Sequence, residues 1–118
     1  MALIGFVDRL VRRVLHLKPR RQFVRVHLVP ELHDVPELLD SKTVYVAGSL
    51  ELPKWAVLTC PCPRHHPVTL SLQRPHRVWW SIRQGDGGPT IHPSIDVQAE
   101  ERCHYWVRDG RVTWVGVR

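Results

Sequence analysis

The stretch HYWVRDGRVTW, residues 104–114, decides the fold class. Two β-prone runs, residues 104–107 and 111–117, flank Asp109-Gly110. Asp-Gly between apolar-rich runs is a strong signal for a two-residue type I′ hairpin, because both turn positions require positive φ. Upstream, residues 22–29 (QFVRVHLV) put Val24, Val26 and Leu28 on one face of a half-buried strand, and Pro30 ends it. Residues 43–47 (TVYVA), 55–59 (WAVLT), 68–72 and 77–83 are further short strands. Residues 31–40 suit a turn, and Gly85-Asp86-Gly87-Gly88 reads as a loop.

Seven or so short strands and ten prolines predict a mainly β fold, a small antiparallel sheet domain. A chain of 118 residues has room for one such domain and a thin core. A hydrophobic share of 43% and a charged share of 24% exclude wholesale disorder. No apolar run approaches the roughly 18 residues of a membrane span. Five tryptophans are expected to fill the core and brace the sheet. Residues 90–95 (TIHPSI) read as a segment that closes the sheet through Pro93 and Ile95. A recognition role for His92 and Ser94 is the alternative.

The net charge of +6 is concentrated at one end. Arg9, Arg12, Arg13, Lys18, Arg20 and Arg21 face Asp8 alone, while the remainder carries eleven basic and ten acidic side chains. Nucleic-acid-binding domains spread their cations over a face, so that function is disfavoured. Leu3, Phe6, Val7, Leu10, Val11, Val14 and Leu15 recur at helical spacing and predict an amphipathic helix ending near Lys18, before Pro19. Residues 1–21 are thus read as a basic helix and connector, and residues 22–118 as the β domain. The helix either packs on the sheet or offers its basic face to an acidic partner or an anionic membrane surface. Asp8 and the arginines interrupt any secretory h-region.

All three cysteines lie near histidines. Cys60-Pro61-Cys62 precedes His65 and His66, and Cys103 precedes His104. Thiolate and imidazole are the ligands a tetrahedral zinc prefers, and a thin core gains from such a staple. Cys103 and His104 would face opposite sides of a regular strand, so both are not expected to ligate. An odd cysteine count argues against a disulfide scaffold and for a reducing cytoplasm.

Five short motifs occur together: Val29-Pro30-Glu31-Leu32, Val44-Tyr45-Val46, Cys60-Pro61-Cys62, Pro93-Ser94-Ile95, and His104-Tyr105-Trp106 with its hairpin partner at 109–114. In this combination the stretch 24–114 resembles a small bacterial domain-of-unknown-function family, some members of which are encoded with ubiquitin-like conjugation genes. The resemblance implies zinc binding, with Cys60, Cys62, His65 and His104 as ligands, Cys103 next, and His66 the alternate to His65. The chain departs from the family's Cys-Pro-Cys-Gly-Cys-Gly knuckle, since Pro63 replaces a glycine and Arg64-His65 stands where the third cysteine falls.

The chain lacks the H-E-x-x-H motif, the deaminase H-x-E with P-C-x-x-C, and a phosphate loop. No catalytic residue is assigned from the sequence. The expected function is a zinc-binding accessory or adaptor protein that acts through protein binding, with a ubiquitin-like modifier or its conjugating enzymes as partner. The alternatives are a metal- or thiol-dependent hydrolase, such as a protease acting on ubiquitin-like conjugates, and a nucleic-acid-binding module using the basic helix.

Overall fold

Alternation of apolar and polar residues places most strands near where the sequence predicts them, and the computed structural model describes residues 21–116. One sheet contains β1 (Arg25–Val29), β2 (Thr43–Gly48), β3 (Pro53–Thr59) and β4 (Pro67–Ser71), in that spatial order. The second contains β5 (Ser81–Gly85), β6 (Gly88–Gln98), β7 (Arg102–Arg108) and β8 (Arg111–Trp114), again in order. The fold is mainly β, but it has two sheets rather than one. It is also not wholly antiparallel: β1 runs parallel to β2, from Arg25↔Thr43 to Val29↔Ala47, while the other neighbours are antiparallel. A parallel pair needs a crossover, which residues 30–42 supply around a 3-10 turn at Leu32–Asp34. The helix expected over residues 1–18 lies outside the described residues. No helix among those described is long and apolar enough to cross a membrane.

Both sheets contribute to one core. Val44, Val46, Ala56, Leu58, Val68 and Leu70 meet Ile91, Ile95, Cys103, Tyr105 and Val107, with Phe23 enclosed among them. Each large apolar side chain so buried stabilises the fold by about 1.5–3 kcal/mol. The tryptophans do not fill this centre. Trp80 and Trp114 pack against its margin, and Trp79 is 38% exposed. Tyr105 and Phe23 are the largest fully buried residues instead.

The Asp109-Gly110 hairpin forms as read, with φ of 51° and 77°. Its tip also anchors the segment before β1, because Gly110 O accepts the N–H groups of Gln22 and Phe23 at 2.8 and 2.9 Å. A Cβ at Gly110 would collide with the Phe23 carbonyl.

Residues 90–95 depart most from expectation. They form the middle of β6, the longest strand. Ile91 pairs with Val107 and Ile95 with Tyr105, so residues 92–94 stand opposite Trp106 alone. The bulge inserts an even number of residues, so Ile91 and Ile95 both still face the core. His92, Pro93 and Ser94 are pushed off the core, and the His92-Pro93 peptide is cis. Pro75 and the run through Trp79 likewise delay β5, which begins only at Ser81.

Candidate metal centre and Ser-His pair

The β3–β4 connection is a tight knuckle. Cys60 N donates to His66 O at 2.8 Å and His65 N to Cys62 O at 3.1 Å, and His65 takes a left-handed φ of 53°. This turn points both cysteines inward and returns the chain so that His66 follows them. From the other sheet, strand alternation on β7 buries Cys103, Tyr105 and Val107 and turns His104 and Trp106 outward.

The sulfurs of Cys60, Cys62 and Cys103 and a ring nitrogen of His66 all lie within 4.8 Å of one another. The His66 Nε2 to Cys103 Sγ distance is 3.9 Å. Tetrahedral zinc with three sulfurs and one nitrogen places its donors about 3.4–3.8 Å apart, so the four groups can close on one ion with a small contraction. The donor set fits a borderline-soft divalent metal. The sequence's two cysteine clusters therefore converge, with His66 rather than His65 beside them. His65 is exposed at the tip of the turn, because the chain needs one more residue to come back. His104 lies outside the group, on the opposite face of β7 from Cys103.

The thiols share their acidity unevenly. Burial pushes Cys60 up to about 12, against the hydrogen bond from the Cys62 N–H. Burial also raises Cys62, but the N–H groups of Arg64 and His65 and the neighbouring thiols outweigh it and bring Cys62 to about 7. The Tyr105 hydroxyl, raised by its own burial and by the nearby cysteines, is buried against this group without a nitrogen or oxygen partner. A metal-bound thiolate at Cys60 would give that hydroxyl an acceptor, which is a second mark of fit. Arg64 pairs with Glu100 and, at 3.6 Å, with Glu101, holding the knuckle to the loop before β7.

On the outer face, Ser94 Oγ and His104 Nε2 are 2.9 Å apart. The bulge in β6 sets Ser94 opposite β7, and β7 presents His104 because Cys103 faces inward. Asp96 is the cross-strand partner of His104. Its carboxylate is held by Arg102 at 2.9 and 2.6 Å, which lowers it below the ordinary carboxylate range, and the charge of His104 contributes in the same direction. A second pair, Ser71 Oγ and His76 Nδ1 at 2.5 Å, differs in kind. Ser71 is buried, accepts the Gln73 N–H at 3.2 Å, and caps a turn.

A serine hydroxyl on an imidazole nitrogen is the pairing used for acyl transfer. The family whose profile matches residues 31–115 is BubE, bacterial ubiquitination-like system serine protease. The chain belongs to the BubE family. No curated protein and no solved structure matches the chain. The BubE match supports the bacterial ubiquitin-like setting and overturns the adaptor reading, since the family is one of proteases rather than accessory binding proteins. Sequence reasoning missed Ser94 and His104 as a pair. Ten residues separate them, and Pro93 hides the strand pairing that brings them together. The opposite facing of Cys103 and His104 follows from alternation, as the sequence predicts, but the partner of His104 on the outer face does not.

Proposed function

We propose that this BubE-family chain is a serine hydrolase that cleaves acyl bonds in the protein substrates of a bacterial ubiquitination-like system, such as conjugates of a ubiquitin-like modifier. The observation that carries this is the 2.9 Å contact between Ser94 Oγ and His104 Nε2. With the imidazole proton on Nδ1, the Ser94 hydroxyl donates to Nε2. Ser94 Oγ attacks the substrate carbonyl while Nε2 takes its proton, and the imidazolium then protonates the leaving group. An acyl-serine remains, and water activated by the same nitrogen releases it. The Asp96 carboxylate lies across the strands from His104 and is held there by Arg102.

The metal centre plays a different part. Zinc held by Cys60, Cys62, Cys103 and His66 would cross-link the two sheets. Four protein ligands leave no open position for a reacting water. The buried cysteines act as ligands rather than nucleophiles, which suits a reducing, cytoplasmic setting.

The test is hydrolysis of a ubiquitin-like conjugate by purified variants. Ser94→Ala and His104→Gln lose activity by on the order of 10³-fold or more, while Ser71→Ala retains it. Activity that survives in Ser94→Ala and is lost in Ser71→Ala would move the site to the other pair.

A further inference from the structure

A groove of about 550 Å³ opens where the start of β3, the chain after β4 and the start of β5 come together. Leu52, Leu72, Trp79, Trp80 and Ile82 give it apolar walls, and Lys54 and Arg74 stand on it against Glu51. The apolar surface is open, with Leu52 76% exposed. Arg74 lies 5.6 Å from the ring of Trp79.

Two features join this groove to the Ser-His pair. The indole Nε1 of Trp80 donates to the Ser94 carbonyl at 3.2 Å, so one groove wall also holds the backbone of the nucleophile. Ser81 and Ile82 line the groove and begin β5, which is an outer strand of its sheet and pairs only with β6 among the described strands. An unpaired strand edge offers backbone N–H and C=O groups to an extended chain, and an adjacent pocket sorts the side chains of that chain.

We infer that the groove takes an extended segment of the protein substrate, next to the bond that Ser94 attacks, and selects a large apolar side chain there. This rests on the Ser94–His104 reading above. Lys54 is paired with Glu31 at 3.9 Å and Arg74 lies over Trp79, so selection at the groove comes from its apolar walls rather than from charge. The aromatic walls bury the apolar side chain, the β5 edge fixes the peptide direction, and Trp80 relays its position to Ser94.

The experiment compares two substrate types on the full chain. Internally quenched peptides place Leu, Lys, Asp or Ser at each of four positions on either side of the cleaved bond. p-Nitrophenyl acetate, too small to reach the groove, reports the Ser-His pair alone. The native chain should prefer Leu at one position. Leu52→Glu and Trp79→Ala should reduce kcat/KM for that peptide by about 10–200-fold, mainly through KM. Hydrolysis of the small ester should be unchanged. Absence of any side-chain preference, or equal losses on both substrates, overturns the groove assignment. Ester hydrolysis that persists in Ser94→Ala overturns the underlying reading instead. Self-association of the native chain in sedimentation, abolished by Leu52→Glu, would assign the groove to a second copy and not to substrate.

Discussion

Cys103 and His104 are consecutive on β7 and serve opposite faces of one sheet. The Cys103 sulfur joins the buried cluster between the sheets, and His104 Nε2 lies 2.9 Å from Ser94 Oγ on the outside. A metal that fixes Cys103 also fixes the rotation of β7 about its own axis, and therefore where His104 points.

The two faces should separate under mutation. His104→Gln is expected to keep one metal per chain by elemental analysis and to melt within a few degrees of the native protein, with activity lost. Cys103→Ser is expected to lose the metal and to lower the melting temperature by roughly 10 °C or more, the equivalent of about 2 kcal/mol in a domain of this size. Loss of metal in His104→Gln would contradict this division.

His65 and His66 should differ in the same assay. His66→Ala is expected to weaken metal affinity by more than the ~10–100-fold that outer-shell partners are worth. His65→Gly is expected to leave affinity unchanged and stability equal or slightly higher, because glycine adopts a φ of 53° without steric cost. Competition with a chromogenic chelator measures both.

The hydroxyl of Tyr105 gives a prediction with two signs. Tyr105→Phe removes a buried polar atom that has no nitrogen or oxygen partner, so the metal-stripped protein should be no less stable than native. The metal-loaded protein should lose affinity about 10–100-fold, since the hydroxyl no longer supports the Cys60 thiolate. Denaturant unfolding with and without chelator checks both signs.

Arg102 lowers the Asp96 carboxyl, chiefly through its hydrogen bonds. A carboxyl depressed in the folded state stabilises above its unfolded range, and that contribution is lost as pH falls through the lowered value. Arg102→Met should therefore raise the Asp96 midpoint, as read by NMR. Any stability difference from native should exist at neutral pH and vanish in acid.

Much of this fold can be read from local signals. Asp109-Gly110 specifies its hairpin, and short alternating runs place most strands within a few residues. The convergence of the two cysteine clusters follows from ligand chemistry. What is not legible depends on non-local register. The parallel pairing of β1 with β2 depends on where residues 30–42 cross, which no short pattern encodes. Pro93 suppresses the strand signal inside β6, because proline removes a ladder donor and is expected at turns or bulges. The Ser94–His104 contact follows from the long-range register of β6 on β7, which pairs Asp96 with His104 and Ile95 with Tyr105. His66 takes its place beside the cysteines through turn geometry, a left-handed residue at 65 that composition does not reveal.

The most direct measurement is covalent labelling of the native chain with a fluorophosphonate, followed by peptide mass spectrometry. The account predicts a single adduct on Ser94, which is lost in His104→Gln and retained in Ser71→Ala. An adduct on a different residue, or labelling of Ser94 that is indifferent to His104, would contradict it.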